Sequence, residues 1–139
     1  MPIGHDLIFR HKDVGIGVEI CEDMWAPITP GVRLSLHGAH IIFNLSASNE
    51  NAGKNSYLRA LISGLSSQAI NGYVYSSCGH GESSTDLVYT GKGFIAENGT
   101  ILKEMERFDL SEKLIVSDID IARIRTERML NSTFRTAAT

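Results

Sequence analysis

The chain has 139 residues, 42% of them apolar and 21% charged, with a formal net charge of −3, which are ordinary values for one globular domain with a real core. That charge gives no reason to expect nucleic acid or an anionic membrane as a partner. No apolar run reaches the ~20 residues that cross a bilayer, and the amino terminus lacks the basic and apolar regions of a signal peptide, so a cytoplasmic protein is expected.

Val14 to Ile20 alternates, with Val14, Ile16, Val18 and Ile20 on one strand face and Gly15, Gly17, Glu19 and Cys21 on the other. The glycine face leaves room for close approach of another element or a ligand. Thr29 as N-cap and Pro30 at the first position predict a helix to about His37, before Gly38. Ala39 to Leu45 reads as a buried strand. Asn55 to Asn71 carries Leu58, Leu61, Ile62, Leu65, Ala69 and Ile70 at helical spacing, with Gly72 as the stop. Tyr73 to Ser77 is a further strand.

This order implies parallel pairing through right-handed crossovers. Beyond it, Leu87 to Ala96 and Ile101 to Phe108 are predicted as strands around Glu97-Asn98-Gly99-Thr100, where Asn98-Gly99 suits a tight hairpin turn. Leu114 to Ile119 is predicted as a strand. Asp120 to Met129 is predicted as a helix capped by Asp120, with its arginines facing solvent. Thr136 to Thr139 is expected to fray. The fold class is therefore α/β, in the sense of a mixed α+β sheet with helices packed on it. Its parallel part holds Cys21 at the carboxyl end of a strand, where active sites collect in open sheets.

The chemistry gathers at Glu19-Ile20-Cys21-Glu22-Asp23-Met24-Trp25. A thiol at a strand end is a candidate nucleophile for acyl transfer through a thioester, provided a base and oxyanion donors are at hand. The backbone N–H of Glu22 could point at the oxyanion, with Glu22, Asp23 and Trp25 lining the mouth. Carboxylates beside a thiolate raise its pKa, so a cation is required, and this stretch holds none. The competing reading is a small buried hydrophobe at Cys21, a solvated loop start at Glu22 and Asp23, and a core plug at Trp25. Glu19 is unsuited as general base: residues i and i+2 on a strand stand ~7 Å apart with parallel side chains, which favours a structural role. Two cysteines do not make a disulfide framework, and histidines 5, 11, 37, 40 and 80 show no metal-ligand spacing with them. Cys78 with His80 offers poor geometry for proton transfer, and Cys78 is read as structural. Gly79 to Asp86 lacks the lysine and helix start of a phosphate-binding loop.

Gly17 to Trp25 resembles the nucleophile segment of the nitrilase superfamily. More narrowly it is similar to the glutaminase domain of glutamine-dependent NAD synthetases. Asn44-Leu45-Ser46-Ala47-Ser48, Gly79 to Asp86, Ile95 to Gly99, Asp118 to Arg128 and Asn131-Ser132-Thr133-Phe134 extend the likeness in register over nearly the whole chain. The resemblance implies an αββα sandwich with a cysteine, glutamate and lysine triad. In it the cysteine attacks the side-chain amide of glutamine, ammonia leaves for a separate synthetase domain, and water hydrolyses the thioester. Cys21 matches the nucleophile, and the N–H of Glu22 matches the oxyanion donor that works beside the lysine.

The family's glutamate and lysine lie upstream of the cysteine, whereas only twenty residues precede Cys21 here and none matches either motif. Residues 1–139 therefore read as the C-terminal half of the glutaminase domain, with little activity alone and with no synthetase domain. No cofactor is expected in this chain, because ATP and magnesium would belong to the synthetase domain; no metal is expected either. By the resemblance, the Glu22 carboxylate contacts the substrate ammonium, Trp25 walls the pocket, and Ser48 and Lys54 reach the substrate, Lys54 near its carboxylate. Taken singly, a serine such as Ser48 at a loop start is more often a turn or cap residue, and a solvated lysine is the commoner reading of Lys54 at a helix start. Expected partners are glutamine, the N-terminal half of the domain, the synthetase domain and further copies of the chain, since half a sandwich exposes an apolar face. The other readings are a different nitrilase-type C–N hydrolase acting on small amides, and a non-catalytic remnant or interaction module.

Overall fold

A computed structural model describes residues 3–139. Its centre is the alternating segment, which forms strand β2 (Val14–Ile20). Strand β1 (Ile8–His11) pairs antiparallel to it through a turn at Lys12 and Asp13. Strands β3 (Ile41–Ser46) and β4 (Gly72–Ser77) add in parallel, and β5 (Gly93–Glu97) and β6 (Thr100–Glu104) close the sheet as an antiparallel hairpin. Spatial order follows chain order, β1 to β6. The two parallel crossovers run through helices α1 (Pro30–Leu36) and α2 (Lys54–Gln68), as parallel pairing requires.

Both crossover helices cover one face of the sheet. Gly15, Gly17 and Glu19 of β2, Ile42 and Asn44 of β3, and Tyr73 and Tyr75 of β4 are buried on it. Gly17 permits the approach: a Cβ there would lie 2.8 Å from Ile42 Cδ1 and 3.0 Å from Leu34 Cδ1 of α1. The glycine face is thus occupied by α1. The core of this layer holds Leu34, Ile42, Leu58, Ile62, Tyr73 and Phe94, and each fully buried aliphatic side chain contributes about 1.5–3 kcal/mol. The opposite face carries Phe9, Val18, Ile20, Phe43 and Leu45. There Ile20 is 63%, Phe9 56% and Leu45 55% exposed. Over β4 and β5 this second face is crossed by residues 105–119, with Met105 against Gly93 and Ile119 against Gly72.

Helix α3 (Ile121–Leu130), capped by Asp120 accepting from Arg123 N–H at 2.9 Å, lies at the end of the sheet away from Cys21. Helix α4 (Ser132–Ala137) follows, with Asn131 Oδ1 accepting from Phe134 N–H at 2.8 Å.

Several expectations are corrected. The Leu87–Ala96 strand shrinks to β5, because Gly91 takes a φ of +67° and breaks the extended run, leaving Leu87 and Val88 outside any ladder. Leu114–Ile119 joins no ladder: the segment lies across the sheet face, where Ile119 packs against Gly72 of β4. Gly72 does not stop α2. The chain turns at Ile70, with φ +43°, and Gly72 opens β4, where its missing Cβ admits Ile119. Arg128 is not on the solvent side of α3; it is 8% exposed. The tail at 136–137 is helical because Asn131 caps α4.

Candidate active site

Strand β2 delivers the chain to a 3-10 turn over Cys21–Trp25. The alternation ends there, because Cys21 takes a φ of +51° and turns out of the strand plane instead of continuing the face of Glu19. A left-handed conformation costs a non-glycine residue roughly 1–2 kcal/mol, so neighbouring contacts must impose it. Two are visible. Asp23 Oδ2 accepts from Ile20 N–H at 2.8 Å and closes the front of the turn, so Asp23 caps the turn instead of lining an open mouth. Behind it, Asn44 Nδ2 donates to the Cys21 carbonyl at 3.3 Å. The amides at the start of such a turn, that of Glu22 among them, have no carbonyl partner within it.

Cys21 is half-buried, neither sealed in the core nor free in solvent. Cys78, just past the end of β4, is also half-buried and carries no disulfide. Burial pushes the Cys78 thiol up from its usual pKa, and the nearby Glu82 and Cys21 add to that.

The structure joins some of the expected site residues. Trp25 stacks on Tyr57 of α2 with ring centroids 5.4 Å apart, and Lys54 Nζ lies 5.8 Å from the Trp25 ring. Lys54 Nζ donates to the Asn49 carbonyl at 2.7 Å and to its Oδ1 at 3.2 Å. The lysine, first residue of α2, is therefore fixed by the loop before its helix. Ser48 is tied to β4 by its N–H, which donates to Ser77 Oγ at 3.3 Å. Glu22 is exposed on the turn. Trp25 and Lys54 thus share one wall, Ser48 stands at the neighbouring strand end, and Glu22 is not drawn to either.

Glu19 is 2% exposed, and its carboxylate is used up in structure. Oε2 accepts from Gly31 N–H of α1 at 2.6 Å, and Oε1 accepts from Tyr73 OH and from Asn44 Nδ2 at 3.4 Å. Burial, then the Glu19 charge and hydrogen bond, push the Tyr73 hydroxyl far above its usual pKa. Sequence reasoning missed Asn44, Asn49, Tyr57 and Tyr73. Tyr57 had a signal, standing three residues after Lys54 on the same helix face; the others are fixed by contacts across strands.

A cavity of about 700 Å³ lies elsewhere, between β4–β5 and residues 105–115, and is lined by His80, Glu82, Glu106 and Asp109 among others, not by Cys21. Among the described residues, no group of three or more His, Cys, Asp or Glu is placed to hold a metal ion, and no helix is long and apolar enough to cross a membrane.

No family model matches the chain. It is 40% identical over 136 residues to the glutamine-dependent NAD(+) synthetase of Mycobacterium leprae, covering 96% of this chain and 20% of that protein. It is 30% identical over 130 residues to the human enzyme of the same name, covering 92% of this chain and 18% of that one. The chain thus spans about a fifth of the length of these curated relatives. Among solved structures it is similar to a glutamine-dependent NAD(+) synthetase from Cytophaga hutchinsonii, with a TM-score of 0.65 and 28% identity over 76% of this chain and 16% of that one. A member of the nitrilase superfamily from Saccharomyces cerevisiae gives a TM-score of 0.75 at 20% identity, over 95% of this chain and 47% of that one, a likeness of fold.

Proposed function

We propose, for a chain homologous to one segment of the glutamine-dependent NAD(+) synthetases and built on half of a nitrilase-type sandwich, that Cys21 is the nucleophile of a glutamine amidohydrolase site. The observation that carries this reading is the half-buried Cys21 held at φ +51° on a 3-10 turn at the carboxyl end of a parallel strand. A half-buried cysteine in the left-handed region at a strand end, its carbonyl held by Asn44, fits a residue aimed at a substrate better than one filling a core.

In this mechanism Cys21 Sγ forms a bond to the side-chain amide carbon of glutamine as its proton passes to a base. The carbonyl electrons move to oxygen, held by the Glu22 N–H. Their return breaks the C–N bond, ammonia leaves with the proton, and water then cleaves the thioester to glutamate and free thiol. The Glu22 carboxylate receives the substrate ammonium, Trp25 forms a wall, and Ser48 and Lys54 bind the remaining polar groups, Lys54 the carboxylate. The base and the lysine of the family have no match among these 139 residues. We assign them, with ATP, magnesium and the ammonia-consuming ligase step, to parts beyond residues 1–139, and we place the protein in the cytoplasm.

The test is labelling with an electrophilic chloroketone analogue of glutamine, read by mass spectrometry on the longest natural chain that carries these residues. The adduct is expected on Cys21 and not on Cys78, with glutamine protecting and simple aliphatic amides not. Protection by aliphatic amides alone would favour a different nitrilase-type hydrolase. Absence of any adduct on Cys21 would overturn the reading. The 139-residue chain by itself is expected to release little ammonia; turnover equal to the longer chain, lost in Cys21→Ala, would refute that. One observation favours an interaction role as well: the exposed apolar face of β1–β3, which fits a covering layer or a second copy.

A further inference from the structure

We infer that Asn44, with Glu19 and Tyr73 behind it, is a positioning unit that holds the Cys21 turn, so that three adjacent strands jointly aim the thiol. This deepens the proposed function and rests on Cys21 being the nucleophile. Asn44 is fully buried on β3, and its side chain reaches in three directions. Nδ2 donates to the Cys21 carbonyl at 3.3 Å and to Glu19 Oε1 at 3.4 Å, while Oδ1 accepts from Ser46 Oγ at 2.7 Å. Glu19 is in turn fixed by Gly31 N–H and Tyr73 OH. The chain of contacts runs from the start of α1 through β2 to β3 and β4 and ends on the carbonyl of the one residue in the turn with positive φ.

The arrangement has features that packing alone does not require. Gly31 is needed for it, because a Cβ there would lie 2.7 Å from Glu19 Oε2. A buried carboxylate is costly, and an apolar residue of the same shape would serve a core as well or better. Here every direct donor to the carboxylate comes from an element that also borders the Cys21 turn or the strands beside it. An amide that bonds a carboxylate on one side and a main-chain carbonyl on the other transmits the rigidity of the first to the second. Free to relax, Cys21 would return to negative φ and swing its thiol away from the loop mouth.

The experiment measures alkylation of Cys21 and Cys78 by iodoacetamide in the same sample, site by site, in the natural chain and in Asn44→Ala and Tyr73→Phe. General loosening exposes both thiols and speeds both reactions, whereas loss of positioning acts on Cys21 alone. The expected result is a fall of about tenfold in the Cys21 to Cys78 rate ratio for Asn44→Ala, and a smaller fall for Tyr73→Phe, which keeps the Asn44 bond to the Cys21 carbonyl. An unchanged ratio in folded Asn44→Ala overturns the proposal. Should Asn44→Ala not fold, the near-isosteric Tyr73→Phe decides, with an unchanged ratio again overturning it. Glutamine-analogue labelling of Cys21 in the natural chain fails or succeeds independently, so an error in the functional reading is told apart from an error in the positioning.

Discussion

At Cys21 the backbone and the proposed chemistry pull on the same bond. A φ of +51° is expensive for any residue with a Cβ and nearly free for glycine. Cys21→Ala and Cys21→Gly both delete the thiol, yet they differ in what the turn costs. The glycine variant is expected to be the more stable by about 1 kcal/mol, read as the difference in urea midpoint; alanine equal to or above glycine would show that the turn stores no strain. A second single-residue effect sits at the other end of the sheet. His40 Nδ1 accepts from Gly15 N–H at 2.9 Å, and Nε2 faces Arg125 Nε at 3.3 Å. Burial, followed by Arg128, Arg125 and Arg10, holds the His40 pKa below 6.5, with only Asp13 opposing. The unfolded chain therefore binds the proton more readily. The His40 contribution is complete above pH 6.5 and is lost as pH falls from there towards the folded value. In His40→Asn, whose Oδ1 can take over the acceptor role of Nδ1, the urea midpoint should lose that slope between about pH 5 and 7.

Helix α3 acts as an arginine clamp across the connections that feed the parallel strands. Arg125 Nη1 donates to Asp13 Oδ2 at 2.7 Å, in the β1–β2 turn. Arg128 Nε donates to the Ile70 carbonyl at 2.9 Å, and its Nη2 to those of Ala39 and Ala69 at 2.8 and 3.3 Å. Arg128 stands over the Phe134 ring of α4, and burial pulls its pKa down to about 10, which still leaves it charged at neutral pH. It meets carbonyls instead of a carboxylate, and two of these, of Ala69 and Ile70, lie at the C-terminal end of α2, where the helix dipole favours a cation. Arg128→Leu fills the space but strands those carbonyls, so a loss of about 3 kcal/mol is expected by urea unfolding. Arg128→Lys should lose roughly half as much, since a single ammonium cannot span the connections before β3 and β4. This clamp was illegible in the sequence, where three arginines on a helix read as a solvated face. What was legible is what local rules determine. Thr29 and Pro30 start α1, Asp120 starts α3, Asn98-Gly99 turns the β5–β6 hairpin at φ +43° and +89°, and the alternation gives β2. Strand β1 escaped because its turn, Lys12-Asp13, lacks the Asn-Gly or Asp-Gly signal. The strand expected from Leu87 failed at the left-handed Gly91, and the one expected at Leu114 failed because its segment packs across a sheet face instead of pairing, a choice that only the whole sheet determines. At the site, Cys21 and its neighbours could be read from one contiguous motif, whereas Asn44, Asn49 and Tyr73 matter through contacts between distant segments.

Across the whole molecule, helices cover one face of the sheet while β1, β2 and β3 leave the other largely bare. Ile20 and Leu45 are register partners on adjacent strands, 63% and 55% exposed, with Phe9 at 56% nearby. A contiguous apolar surface of this kind on a chain with a net charge of only −3 is a driving force for association, and little electrostatic repulsion opposes it. In the proposed reading the natural cover is the second layer of a sandwich; without it, two copies can bury the same strip against each other. The 139-residue chain is therefore expected to sediment as dimers or larger species at concentrations of about 10 μM and above, an affinity worth about 7 kcal/mol. Ile20→Lys with Leu45→Glu should return it to monomer. Both side chains are already more than half in solvent, so the double variant should keep the urea midpoint of the parent within about 0.5 kcal/mol at each site. A parent chain that sediments as a monomer at that concentration would mean residues 105–119 and the flanking segments cover enough of the strip on their own, and the face would lose its claim to a partner.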